Sequence, residues 1–241
     1  MTTFTTVLAG QLRREPGRPL VTYYGAEERV ELSVTTYANW VAKASSLLVD
    51  ELGLERGDTL AVDLPPHWLG CVFLGGAWNA GLVVTTGEGG ENADAVVTGP
   101  AGLDRWAPAA SRRTVLACSL RPLGVRFAEP LPAGVHDVGV EIWSQPDAFT
   151  PWDPAEPDDP AYDAGGVVLT QREMWEAAAA GLSPASGGRL LSEANPASPP
   201  GLSSFTEPLA TGGSVVLVVD AGADRLEAIA ASERVTHRFP A

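Results

Sequence analysis

The sequence predicts an α/β fold: mainly parallel β-sheets flanked by helices, in two similar subdomains. Three observations carry this. Strand-like apolar runs alternate with helical patterns along most of the chain. A β–α–β unit is legible over residues 59–85, and such a unit requires parallel strands joined by a right-handed crossover. The alternation then stops at a stretch rich in proline and acid, residues 144–166, and restarts beyond it. The expected organisation is therefore a first subdomain over 1–143, a connection over 144–166 and a second, smaller subdomain over 167–241.

The elements follow in order. Tyr37, Val41, Ala44, Leu48 and Leu52 recur at helical spacing, so a helix is expected over 37–52, with Thr36 as N-cap and Gly53 as its stop. Gly57 and Asp58 make a turn, residues 59–64 read as a buried strand, and Pro65-Pro66 end it. A second helix is expected over 67–80, burying Leu69, Val72, Phe73 and Ala77, with Gly81 just past its end. Residues 82–85 are the next strand, and further short strands are expected at 95–98, 114–118 and 138–143.

From 144 to 166 the prolines 146, 151, 154, 157 and 160 stand among Asp147, Asp153, Glu156, Asp158 and Asp159. Proline removes backbone donors, so this reads as an extended, exposed connection with little regular structure. Thr170 and Glu173 have capping-box spacing, which starts a helix running to about Gly181. A short strand at 189–191, a Pro/Ser loop at 194–203, a short helix at 206–210 containing Pro208, an apolar strand at 214–219, a helix at 224–232 and a strand at 235–239 complete the reading.

Composition narrows the function classes. The chain has 241 residues, 45% hydrophobic, and a formal net charge of −14. That charge argues against nucleic acid or an anionic membrane surface as a direct partner. No apolar stretch approaches the roughly 20 residues needed to span a bilayer. Residues 1–10 lack the basic and apolar regions of a signal peptide. Cys71 and Cys118 lie in apolar stretches without metal or redox spacing and read as reduced core residues of a cytoplasmic protein.

Several segments carry a resemblance. Residues 33–44 are similar to a T-Y-x-E-L helix entry, 57–65 to a G-D-R-V-A-L-x-L-P strand, and 73–84 to an apolar helix ending in K-A-G-A-V-V. Residues 209–218 and 234–237 resemble L-x-x-G-G-x-V-V-L and R-V-T-H segments. Around Gly166 the chain reads Ala-Tyr-Asp-Ala-Gly-Gly-Val-Val-Leu-Thr-Gln-Arg. In this order and spacing the segments resemble the front half of the adenylate-forming superfamily (acyl-CoA synthetases, luciferases, peptide-synthetase adenylation domains). The resemblance implies the fold of the N-terminal domain of acyl-CoA synthetases.

The departures from that family bear on function. Its members place a T-S-G-T-T-G-x-P-K-G phosphate-binding loop between the Tyr-containing strand and a Val-Val-Leu-Thr-His-Arg segment. Here the flanks remain, at Ala161-Tyr162 and 166–172, and most of the loop is gone. No Lys and no Ser/Thr run replaces it, and the nearest charge is Asp163. The family's aromatic or His-Gly motif would fall near 192–201, which here holds Asn195-Pro196-Ala197-Ser198-Pro199-Pro200-Gly201. Its acidic metal and ribose residues and its lid Lys would lie beyond Ala241. The chain resembles an actinobacterial group of the superfamily that has this truncated form and lacks the phosphate loop.

No family functional residue transfers to a position here, so no catalytic residue, metal ligand or cofactor is expected. His67, His136 and His237 are too scattered for a metal motif; His67 reads as a helix start, His136 as a turn and His237 as a strand residue. The candidate binding residues are Gly87, Gly89 and Gly90, the remaining glycine-rich loop after a strand. Glu88 and Glu91 beside them would repel a phosphate, so a turn is the competing reading. Trp68, Trp78, Trp106, Trp143, Trp152 and Trp175 are numerous enough for some to fill space that a ligand would take. The expected role is a non-catalytic binding or interaction protein, with a protein partner or a small acyl or nucleotide ligand. The alternative is an adenylate-forming or acyl-transfer component completed by another chain.

Overall fold

The structure is a computed structural model that describes residues 2–26, 28–181 and 187–240, with the backbone alone at 87–89. In chain order the elements are α1 (Phe4–Arg14), β1 (Pro19–Tyr24), β2 (Arg29–Ser33), α2 (Val34–Ser46), β3 (Thr59–Asp63), α3 (Trp68–Ala80), β4 (Val83–Thr86), β5 (Ala95–Thr98), α4 (Leu103–Trp106) and β6 (Thr114–Ala117). There follow β7 (Val135–Asp137), α5 (Val138–Glu141), β8 (Pro160–Ala164), β9 (Val167–Thr170), α6 (Gln171–Ala179), β10 (Arg189–Ser192), α7 (Ser203–Thr211), β11 (Ser214–Val218), α8 (Ala223–Ser232) and β12 (His237–Arg238).

Among the described residues the strands form two sheets, ordered β12-β10-β11-β1-β2 and β7-β6-β5-β3-β4-β8-β9. All neighbours are parallel except β1–β2 and β8–β9. This is the expected α/β class. The helices α1, α2, α3, α6 and α7 lie between the sheets, and one apolar cluster runs through this layer from β3 to β11. On the outer faces Trp106 of α4 packs on Val96 and Val115 of one sheet, and Ile229 of α8 on Val216 and Val218 of the other. The result is five layers, alternately helix and sheet.

Strand pairing does not follow the expected 1–143 and 167–241 division. β1 and β2 join β10–β12, while β8 and β9 join β3–β7. The connection is also only partly irregular. Residues 160–164 form β8, a strand paired on both sides, with Ala161 and Tyr162 buried and the Ala161 carbonyl accepting from Trp78 Nε1 at 2.9 Å. Pro160 is tolerated because it is the first residue of the strand. The acids before it are tied down: Arg56 meets Asp153 at 2.7 Å and Asp159 at 2.8 Å, and Arg172 meets Asp158 at 2.9 Å.

Three further corrections have local causes. The expected strand at 138–143 is α5 followed by a 3-10 turn at Ile142–Ser144, because Asp137 Oδ1 accepts from Gly139 N at 2.9 Å and caps a helix start. His136, expected in a turn, is in β7. The helix expected from Tyr37 starts at Val34: Ser33, not Thr36, is the N-cap and accepts from Thr36 N at 3.1 Å. Elsewhere the expectations hold. Thr170 and Glu173 form the capping box of α6, Gly81 ends α3 in the left-handed conformation, and His67 caps its start.

Every residue of α3 except Asn79 is buried. Gly75 and Gly76 allow α2 to approach: a Cβ on Gly75 would lie 2.1 Å from Tyr37 Oη and 2.8 Å from Val41 Cγ2, and one on Gly76 would lie 2.7 Å from Ala44 Cβ. Neighbouring polar groups are satisfied, with Tyr37 Oη donating to the Cys71 carbonyl at 3.0 Å and Ser45 Oγ to that of Gly76 at 3.0 Å.

Two predictions follow from this layer. Gly75→Ala is expected to cost about 1–3 kcal/mol through overpacking, read as a lower urea midpoint. The second concerns His67, only 2% exposed, whose imidazole burial holds down to about 4 in spite of Glu28 Oε1 at 3.4 Å. An unfolded chain takes up this proton near pH 6.5 and the folded chain does not. Stability is therefore full above about pH 6.5 and falls by on the order of 3 kcal/mol as pH drops through about 4. His67→Asn keeps a cap acceptor, so its denaturation midpoint is expected to fall less steeply over that range.

Candidate functional site

In an open α/β sheet the carboxyl ends of the parallel strands are where ligands bind. Here β3 ends at Asp63, β4 at Thr86, β5 at Thr98 and β8 at Ala164. Thr86 pairs with Ala164, so the turn after β8 and the glycine-rich loop after β4 start side by side.

The turn after β8 is the two-residue hairpin Gly165-Gly166, closed by the pair Ala164 and Val167. Both glycines have positive φ, +65° and +92°, the requirement of a type I′ turn. Its geometry is the reverse of a phosphate cradle. A cradle points several free backbone N–H groups at an anion. Here the Gly166 N–H is already spent on Asp163 Oδ1 at 2.7 Å, which adds negative charge at the same place.

The loop after β4 is a 3-10 turn, Gly87–Asn92. Arg113 holds it from outside, its Nη2 donating to the Glu91 carbonyl at 2.7 Å and its Nη1 to that of Gly90 at 3.4 Å. Of the sequence candidates, Gly90 borders the remaining crevice, and Gly87 and Gly89 lie in the same turn. The side chain of Glu88 lies outside the described residues.

The crevice itself is largely occupied. Trp106 stands over the end of β3, its Nε1 donating to Asp63 Oδ2 at 2.6 Å. Arg105 lies over the Trp106 ring, 4.4 Å from its centroid, approaches Asp63 at 3.7 Å and pairs with Glu91. Gly102 makes this fit possible, since a Cβ there would lie 2.0 Å from Thr98 Oγ1. On the other side the loop at 193–202 closes over β3: Asn195 Nδ2 donates to the Leu64 carbonyl at 2.8 Å, and its Oδ1 accepts from Ala197 N at 3.0 Å. About 120 Å³ remains, bordered by Asp63, Thr85, Thr86, Gly90, Trp106 and Asn195. Ligand pockets run from about 300 to 1,000 Å³, so the space suits a few waters and not a nucleotide.

The other reactive side chains are elsewhere. His136 Nδ1 is 3.1 Å from the Glu141 carboxylate, and His237 Nδ1 is 3.0 Å from Thr236 Oγ1. Burial pushes the Cys71 thiol up to about 12 and raises that of Cys118, which removes the thiolate a nucleophile needs. Among the described residues no group of three or more His, Cys, Asp or Glu could hold a metal ion.

No family profile matches the chain. A protein of Mycobacterium tuberculosis described as a TIGR03089 family protein is 34% identical over a 255-residue alignment, covering 98% of this chain and 99% of that protein. The chain belongs to the TIGR03089 family. Among solved structures, an acyl-CoA synthetase of Brucella canis superposes with a TM-score of 0.83 at 21% identity, over 98% of this chain and 46% of that one. A fatty acyl CoA synthetase of M. tuberculosis gives 0.76 at 15% identity, over 98% and 48%. The N-terminal domain of FACL13 from the same organism gives 0.76 at 16%, over 99% and 62%. The fold is thus that of an acyl-CoA synthetase N-terminal domain, and the chain spans about half the length of the synthetase structures it matches.

The sequence shows the loss of most of the loop between Tyr162 and Gly166, but neither the hairpin that replaces it nor what closes the crevice. Arg105, Trp106 and Asn195 were reachable only in part: a Gly-containing turn after β5 places its next residues over the strand ends, whereas Asn195 is distant in sequence from Leu64. Trp106→Ala is expected to cost about 3–5 kcal/mol in thermal or urea denaturation, because a buried indole leaves a cavity. Enlarging the crevice in this way is expected to create no ATP binding by calorimetry.

Proposed function

We propose that this chain is a non-catalytic protein on an acyl-CoA synthetase fold, acting as a binding or interaction module. The observation that carries the reading is the Gly165-Gly166 hairpin, whose Gly166 N–H is spent on Asp163. Adenylation develops charge at a phosphate and needs positioned donors and cations to stabilise it. Loss of one such donor costs on the order of 3–4 kcal/mol, or a hundred- to a thousandfold in rate. Here a whole loop of donors is replaced by one consumed N–H beside a carboxylate, and Trp106 and Arg105 take up the neighbouring space. The net charge of −14 favours a protein or small-molecule partner over nucleic acid or an anionic membrane. Free, buried Cys71 and Cys118 fit a reducing cytoplasm. Among the described residues no helix is long and apolar enough to cross a membrane.

The test is ATP–pyrophosphate exchange with purified protein, magnesium and a panel of short- and long-chain acids. Exchange is expected to match a heat-treated control. Exchange well above that control, without a second protein, would overturn the reading and direct attention to Gly90 and its turn.

A further inference from the structure

A cavity of about 810 Å³ lies between β2, α2, the start of α3, the segment 123–126 and the end of α5. This is the size of a small-ligand pocket. Its walls are aromatic. The Trp40 ring meets Trp68 edge-on, with centroids 5.0 Å apart, and Trp143 in the same way at 5.2 Å. Val30, Leu32, Leu123 and Val125 complete the apolar lining. Tryptophan offers a large rigid face at small entropic cost, and edge-on pairs leave faces free for a third ring.

The charges of the lining residues do not cancel. Arg29 is paired with Glu31 at 2.6 Å and Glu233 at 2.9 Å, and Lys43 with Asp147 at 3.1 Å. That accounts for both acids of the lining, Glu31 and Asp147. Arg126, also in the lining, has no ion pair or side-chain hydrogen bond among the described residues. Among the lining residues Arg126 is thus the one cation without an acid partner, while behind the lining Glu28 Oε2 accepts from Leu123 N at 3.4 Å.

The mouth is held in place. Leu123 has φ +64°, a conformation that strains a branched residue, and its apolar side chain is 70% exposed at the opening. Asp137 fixes the neighbouring segment by accepting from Phe127 N at 3.0 Å through Oδ2 and from Gly139 N at 2.9 Å through Oδ1. Gly139 permits the contact, since a Cβ there would lie 2.4 Å from Arg126 N. Across the opening, Ser46 Oγ donates to Gln145 Oε1 at 2.8 Å, and Lys43 Nζ to the Gln145 carbonyl, anchoring the chain next to Trp143.

We propose that this cavity binds an aromatic monoanion, its ring among Trp40, Trp68 and Trp143 and its anionic group on Arg126. The cavity shares no lining residue with the crevice at the strand ends, so this inference goes beyond the reading above and stands whether or not adenylation is lost. The probe is 2-naphthalenesulfonate, with the neutral 2-naphthalenesulfonamide as its partner, titrated calorimetrically into the full chain. One saturable site per chain is expected for both. Arg126 is exposed, so Arg126→Gln is expected to fold normally by circular dichroism. It is expected to weaken the sulfonate by about tenfold, the worth of a charged hydrogen bond, and to leave the sulfonamide unchanged. Trp143→Ala is expected to weaken both, and Trp152→Ala, 96% exposed outside the cavity, neither. Absence of saturable binding, equal effects of Arg126→Gln on the two probes, or a Trp152→Ala effect matching that of Trp143→Ala would overturn the proposal.

Discussion

A helix that is apolar on every side must have protein on every side. α3 is such a helix, and the rest of the fold is arranged to surround it. It packs on β1 of one sheet and on β3 and β4 of the other, while α2 closes on it through Gly75 and Gly76. Its one residue outside the core, Asn79, is engaged from both flanks, by Thr5 of α1 at 3.2 Å and Ser45 of α2 at 3.1 Å. Because α3 directly follows β3, the burial of this helix also fixes where the carboxyl end of β3 emerges. That sets the position of Asp63, and with it the Trp106 contact that closes the crevice.

The same layer shows how a local change can leave a fold intact. The start of α6 is held to α1 and α3 by the buried Gln171, whose Oε1 accepts from Phe4 N at 3.0 Å and from Trp175 Nε1 at 3.1 Å. Phe4, Trp78 and Trp175 pack together behind it, with centroids 5.4 to 5.9 Å apart. None of these contacts involves the turn after β8. The hairpin could therefore become short without disturbing the strands it joins, since a two-residue Gly-Gly turn matches their twist. The turn after β8 and the packing of the helix layer rest on different residues.

What could be read from the sequence was local. The capping box of Thr170 and Glu173, the β3–α3–β4 unit with Gly81 ending its helix, and the missing loop between Tyr162 and Gly166 all lie within a few residues of their own signals. The failures came where a distant partner decided. Pro160 and the acids before it resemble a linker by composition, yet β4 and β9 make a strand of 160–164. Val138 and Val140 alternate like a strand, but a single carboxylate at Asp137 starts a helix. The Trp106–Asp63 and Asn195–Leu64 contacts that fill the crevice, and the three tryptophans of the cavity, join positions far apart in the chain and have no signature in spacing.

The pairing of β1 with β11 has a consequence for how the protein comes to exist. Val21 stands beside Val215, so the centre of the five-stranded sheet joins an early and a late segment of the chain. During synthesis β1 and β2 leave the ribosome long before β10 and β11, whereas β3 to β7 can assemble as they emerge. The apolar face of β1 must wait, and contacts of such long sequence separation slow the final step. Until β11 follows, the β1–β2 hairpin has no strand on its other edge, although all seven strands of the second sheet already precede β11 in the chain.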